Sequence, residues 1–592
     1  MLKDPAGIYT KRIKHFSTQE TALIKKEKRF SIARLICFVL LIALIILLFK
    51  VHWVIGIIAI YVSITIFYFL VKAHNKVSHR LAIVKSLVNI NRLEKGVLNH
   101  RYNEFNDGNN FKDEKHPYVN DLDIFGKNGL FQYTNRCHSI FGEHELASMY
   151  ANGIDEATIP KAQEAVKELE PLLDWRQEYQ ASCQSNKHET VLDIDFLNWI
   201  QEDADIDFKL WLCIALPLLT LIFFSILYIY FPTLSYWIAF IPAGRFAFNH
   251  ASKITAFQSN ASQHSKTLKK YAEAISWIEE YNFKSSLLQD RQRLISNTEK
   301  STSKAIKKLA YILHQLDLRH NFFGIMVNLI FPWDYYWAYR LQQWKDKNKE
   351  KAPIWFQTIG WFEAISSLAN LSYNNPDWVF PTITKKTGFD ATALGHPLIH
   401  KSNRIANDFI GQTKEHIKIV TGSNMGGKST FLRTIGTNII LANCGSKVCA
   451  SQLSIPYLRL YTSMRTLDAL DENTSSFYAE LKRLKLVLDA VDQYDNVYFL
   501  LDEILKGTNS IDRHTGAKAL IKGLLRQNGA GLISTHDLEL GQLEKEYPET
   551  IENICFEVTV TGDELYFDYK LKKGISKSFN ASHLMRNMGI DV

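Results

Sequence analysis

From Ile417 to Thr430 the chain reads IKIVTGSNMGGKST. Gly422, Ser423, Asn424, Met425, Gly426, Gly427, Lys428 and Ser429 fill G-x-x-x-x-G-K-[ST] at every fixed position. The residue types state the chemistry. Glycines let the backbone wrap closely enough to aim its N–H groups at phosphate oxygens. Lys428 brings a point charge to the β- and γ-phosphates, and the Ser429 hydroxyl is a ligand for Mg²⁺. A helix starting near Thr430 turns its positive end toward the same anion. ATP with Mg²⁺ is the ligand this pattern implies; a plain glycine-rich turn is the competing reading.

A second set of residues answers that alternative. Val497 to Leu501 has the composition of a buried strand and ends in Asp502-Glu503. An acid there can hold the Mg²⁺ shell, and its neighbour can orient a water toward the γ-phosphate. His536 follows another apolar run, in Ile533-Ser-Thr-His536-Asp537, where a histidine can sense the γ-phosphate. Taken singly, two acids after a strand start many loops, and a lone histidine is more often structural. Their company with a phosphate loop favours the functional reading.

The elements that must position these groups are strands at 417–421, 457–463, 497–501 and 530–534, alternating with helical stretches after Pro376. That alternation predicts a wound parallel sheet with the phosphate loop at the carboxyl end of a strand. Upstream, the 592-residue chain predicts several domains. A net charge of +8 is mild for this length and does not by itself indicate nucleic-acid binding. Seven cysteines without C-x-x-C pairing argue against a zinc site or a disulfide framework.

Two apolar pairs interrupt the polar sequence. Leu35 to Phe49 carries no charge, and Trp53 to Val71 resumes after Lys50 and His52. With Lys25, Lys26, Lys28, Arg29 and Arg34 before them and Lys72, Lys76 and Arg80 after, these runs predict a transmembrane hairpin with both ends cytoplasmic. Leu210 to Phe231 and Leu234 to Phe248 predict a second hairpin, its return segment spoiled by Pro242 and Arg245. The expected organisation is a basic N-terminus (1–34), hairpin one (35–72), a helical part (73–207), hairpin two (208–250), a second helical part (251–389) and a phosphate-loop α/β domain (390–592). Within it, Asn321 to Trp337 reads as a packed helix and its end, and Lys345 to Lys351 as a solvated linker. The lipid bilayer, as a plasma or inner membrane, is the first expected partner, with the soluble parts in the cytoplasm.

Several stretches together resemble one family. TGSNMGGKSTFLRTIG (421–436), SSFYAEL (475–481), LLDEILKGTNSID (500–512) and STHD (534–537) are similar to the ATPase domain of the MutS family, a branch of the ABC-type ATPases. ALGHPLI (393–399) and Ile405 to Asp408 resemble its entry, and KGISKSFNASHLMRNMGI (573–590) its C-terminal helix-turn-helix. Residues 121–149, Gln163 to Glu168 and Glu363 to Leu368 resemble the family's core lever domain. The resemblance implies a multidomain α and α/β protein with Gly422 to Thr430 on the phosphates. Asp502 and Ser429 would serve Mg²⁺, Glu503 and Lys428 hydrolysis, and His536 would act as the switch. Ser475 and Ser476 would reach the neighbouring subunit's nucleotide, which implies a homodimer through the ATPase domains. Arg404 and Ile405 correspond to the adenine flank, where an aromatic is usual at the first position; a guanidinium can also stack there.

The departures shape the functional expectation. The family's mismatch-reading domain carries a Phe-x-Glu wedge, whereas Phe141-Gly-Glu143 lies in the lever-like stretch. Glycines usual around the acidic-strand motif are Leu505 and Arg513 here. The leading expectation is a divergent, membrane-anchored ATPase without the mismatch-recognition domain, switching a lever and acting on mismatched, branched or damaged DNA. An ATP-driven membrane scaffold without DNA is the alternative. An ABC-type transporter is disfavoured, because no L-S-G-G-Q signature precedes Asp502. The sequence leaves protein partners unidentified.

Overall fold

The computed structural model describes residues 4–184, 194–203, 206–238, 240–258, 264–296, 301–318, 330–423, 425–465, 476–561 and 564–577, together with Gly324 and 327–328. Asn424, Ser475 and nearly all of the expected helix-turn-helix (573–590) lie outside the described residues.

Two very long helices open the chain, Pro5–Val51 and Trp53–Val97. Asp4 caps the first, accepting from the Gly7 N–H at 3.1 Å, with Pro5 in the first turn. His52 separates them in an extended conformation, and its Nδ1 accepts from the Val54 N–H at 3.2 Å. One residue therefore ends one helix and caps the next. The large side chains from Ile32 to Phe69 are broadly exposed. The polar halves of both helices pack on the protein instead: Phe16, Val84, Leu87 and Val88 form a small core with Ala181. Buried polar contacts secure this base. The Tyr9 hydroxyl donates to Asn374 at 2.7 Å, Asn374 donates to Glu94 at 2.8 Å, and Glu94 is ion-paired with the buried Arg136.

A helical body follows, built around Ala352–Asn374, which is almost wholly buried, its polar side chains included. Gly360 lets the helix Ile140–Asn152 approach its backbone; a Cβ there would sit 2.5 Å from the Phe141 carbonyl carbon. Lys345 departs from the solvated linker expected at 345–351. It lies inside the helix Trp333–Asn348, fully buried, with its ammonium 2.5 Å from the Trp199 carbonyl and over the Trp199 and Phe257 rings. Burial lowers its pKa to about 8. Within 321–337 the described helical residues stop before Pro332, and a second helix begins at Trp333, so the stretch holds the end of one helix and the start of another.

The second apolar excursion starts with the helix Trp211–Tyr230. Its return is not one segment over 234–248: the helix Pro232–Ile238 stops, and Ile241–Gln258 restarts with Pro242 in its first turn. Among the described residues, three helices are long and apolar enough to cross a membrane: Pro5–Val51, Trp53–Val97 and Trp211–Tyr230.

Among the described residues, the C-terminal region holds ten strands: β1 (Thr382–Ile383), β2 (Gly388–Leu394), β3 (Asn407–Gln412), β4 (His416–Gly422), β5 (Gln452–Ile455), β6 (Arg459–Ser463), β7 (Val497–Asp502), β8 (Ala530–Thr535), β9 (Ile551–Thr561) and β10 (Glu564–Lys573). The larger sheet runs β10-β9-β4-β8-β7-β6, parallel except for the β9–β10 pair. The smaller runs β1-β5-β2-β3. All four strands expected from the apolar runs are present in the larger sheet. Its β7 and β8 are buried throughout, as strands covered on both faces must be.

One continuous apolar core joins this region to the helical body. Charge reinforces the joint: Asp121 accepts from the Thr462 hydroxyl and from the N–H groups of Met464 and Arg465, at 2.6, 3.2 and 3.1 Å. Asp123 bridges Arg465 and Arg433, the latter on the helix that leaves the phosphate loop.

Candidate functional site

Three adjacent parallel strands, β4, β7 and β8, end on the same side of the sheet, so their carboxyl-terminal residues converge. Registers place Thr421 opposite Thr535 and Asp502 opposite Ser534. From β4 the chain enters the loop 422–427, and the helix Lys428–Asn443 leaves it. Met425 and Gly427 take left-handed backbone conformations, φ 66° and 101°. The second of these makes a glycine the unstrained choice.

Lys428 is buried, its ammonium donating to the Gly422 and Ser423 carbonyls at 2.9 and 3.1 Å and lying 3.3 Å from His536 Nε2. Burial lowers its pKa; the nearby Glu503 and Asp502 oppose that shift. The Ser423 hydroxyl is buried and has no hydrogen-bond partner among the described residues. Asp502 is buried at the end of β7 and accepts from the Ser534 hydroxyl. Glu503, in a left-handed conformation with φ 52°, accepts from His536 at 2.7 Å on one oxygen and pairs with Lys506 at 3.2 Å on the other. The His536 hydrogen bond, then Lys506, hold its carboxyl down to a pKa of about 2.

A cavity of ≈ 460 Å³ opens before the loop. Ser423, Met425, Gly426, Gly427, Lys428, Ser429, Thr430 and Glu503 line one side, and Leu394, Ile405, Asn407, Phe556 and Tyr569 the other. Ile405 is thus where the sequence reading expects a wall residue. Arg404 is not: its guanidinium is drawn to the Ile399 carbonyl at 3.1 Å and Cys449 Sγ at 2.8 Å, over the Trp378 ring. These contacts explain its absence from the cavity wall. Ser476 begins the helix Ser476–Gln493, and Phe477 packs on Gly507 beside the acidic loop.

Four contributors escaped the motif reading. Tyr569 reaches the cavity from β10, distant in sequence, and its ring lies where a Cβ on Gly427 would come within 3.1 Å. Lys506 and Glu480 arrange the acidic loop, Glu480 accepting from the Leu505 N–H. Leu505 stands with φ 60°, the conformation that explains why glycine suits that position. Ser534 was detectable, since two strands ending in acid and hydroxyl at one level must meet. Tyr569 had no such signal.

Residues 418–588 match the family model described as MutS domain V. Among similar curated proteins, the DNA mismatch repair protein MutS of Thermotoga maritima is 29% identical over 251 residues, 42% of this chain and 30% of the relative. That of Aquifex pyrophilus is 28% identical over 306 residues, 51% and 33%. That of Clostridioides difficile is 27% identical over 318 residues, 51% and 32%. An α/β region similar to MutS domain V therefore occupies residues 418–588. The chain is similar to these relatives over part of its length, and it spans about a third of the length of the curated relatives it matches.

Proposed function

We propose that this protein is a membrane-anchored ATPase that binds and hydrolyses Mg²⁺-ATP at composite sites between two copies. The observation that carries the proposal is the convergence of Lys428, Asp502, Glu503 and His536 at the ends of three neighbouring strands, with Lys428 and Glu503 lining one cavity. The donor set suits the ligand: an unpartnered buried Ser423 hydroxyl, a buried ammonium, and loop glycines that leave room for phosphate oxygens. Ser429 and Asp502 would hold Mg²⁺, whose charge would offset that of the phosphates. Lys428 would draw negative charge from the transferred phosphoryl group. Glu503, ionised by its cationic neighbours, would accept a hydrogen bond from a water and orient it for in-line attack. His536 Nε2 lies 2.7 Å from Glu503 and 3.3 Å from Lys428 and can donate to the first or accept from the second, so a change at the phosphates would bear on that choice. Met425 and Ile511, each 77% exposed near the loop, supply apolar surface that pairing would cover. Ser475 and Ser476 are then the residues offered to the partner's nucleotide.

Three span-length apolar helices support anchorage in the bilayer, with the body and ATPase domain on one side. The test of the enzyme is Glu503→Gln in the purified full chain. Nucleotide retention should persist while turnover falls about 100-fold or more, the size expected of a general base. Turnover at the parent rate would remove Glu503 from that role.

Duplex or branched DNA is the proposed ligand of the lever region, a role suggested by the relatives' printed name. Binding by the detergent-solubilised protein should weaken steeply as salt rises. No binding at low salt would leave an ATP-driven membrane scaffold.

A further inference from the structure

Tyr335 marks a height on the molecule. Its hydroxyl accepts from the Lys209 N–H at 2.8 Å, two residues before the apolar helix Trp211–Tyr230 begins. The rings of Phe246 and His250, on the returning helix, lie 5.2 and 5.3 Å from its own. The apolar excursion thus leaves and re-enters the helical body at one residue. If that excursion enters a bilayer, Tyr335 stands where hydrocarbon gives way to water.

The surface around this height is unusually aromatic for a solvated face. Trp333, Tyr336 and Trp337 are partly exposed, and Tyr311, 52% exposed, meets Trp337 edge-on at 5.4 Å. Ile330 is 61% exposed and Phe248 75%. Cations sit among them: Arg340 donates to the Tyr336 hydroxyl at 2.8 Å, and Arg245 is exposed beside Phe246. Trp and Tyr, apolar with one polar edge, favour the headgroup level of a membrane, where arginine can meet phosphate.

We propose that this shelf, from Ile330 to Arg340 with Tyr311 and Phe248, docks on the headgroup boundary of the bilayer entered by Trp211–Tyr230. The proposal rests on the membrane reading above and adds a second mode of contact, lying on the surface rather than crossing it. The shelf would fix the angle at which the helical body stands on the membrane.

The test uses the full chain in phosphatidylcholine vesicles, in a Cys37→Ser background, since the other six cysteines are buried. An environment-sensitive fluorophore is placed through Ile330→Cys or Tyr311→Cys on the shelf. Leu219→Cys in the apolar helix and Tyr478→Cys on the ATPase domain serve as references. All four positions are exposed, so the fold should tolerate the changes. Nitroxide lipids labelled near the headgroup should dim both shelf probes about twofold and chain-end nitroxides less, while Leu219→Cys responds to the deeper label. Tyr478→Cys should answer only to aqueous iodide. Leu219→Cys quenched by lipid with the shelf open to iodide would overturn the shelf and leave the spans standing. A shelf shielded from both quenchers would make it a protein interface and also overturn the proposal. Leu219→Cys open to iodide would remove the membrane reading and the shelf together.

Discussion

Two carboxylates, one at each functional end of the molecule, are displaced in opposite directions. Glu503 faces the phosphate-loop cavity and is held near pKa 2 by His536 and Lys506. Glu363 is sealed in the helical body, where burial lifts it to about 7 although Ser139 and the N–H of His138 give it hydrogen bonds. Cations stabilise the first as an anion, whereas a dry interior favours the proton on the second. The cavity end is built from charge placed by short loops. The body is built from burial, with polar groups satisfied across long sequence distances. The first kind of construction demands particular residues at fixed spacing; the second accepts many solutions. That difference is in keeping with the family-model match, which covers residues 418–588.

The contrast breaks most readily at Glu94. Its pairing with Arg136 and Asn374 ties the first two helices to the body, and all three groups are buried. Glu94→Leu should cost about 3–5 kcal/mol by stranding the Arg136 charge. Denaturant unfolding in detergent would show it, and a loss below about 1 kcal/mol would mean the base of the hairpin is held by packing alone. The smaller effect concerns Glu363. The folded protein holds its proton up to about pH 7, while the unfolded chain releases it near the ordinary carboxyl value. Folding therefore loses stability as pH rises through that window, by at most about 3 kcal/mol. Glu363→Gln should remove this slope; an unchanged profile would place the titration elsewhere.

What the sequence discloses follows the same division. The phosphate loop, the acidic strand end and the four strands were legible because G-x-x-x-x-G-K-[ST] and short apolar runs report local geometry. Long apolar runs likewise announced the candidate spans. Arg404 was misplaced because its contacts with Ile399 and Cys449 depend on a tertiary neighbourhood. Lys345 looked solvated from its charged neighbours, yet Trp199 and Phe257, far away in the chain, enclose it. Tyr569 joins the cavity only through the pairing of β10 with β9, which no local pattern encodes.

The claim on which the rest depends is that Lys428 and its loop hold a nucleoside triphosphate. Equilibrium binding of labelled ATP with Mg²⁺ to the purified full chain, parent beside Lys428→Ala, tests it directly. The account predicts saturable binding by the parent, weakened about 100-fold or more in the variant, as loss of a buried charge–phosphate contact requires. Equal binding by both proteins, or none by the parent, would contradict it.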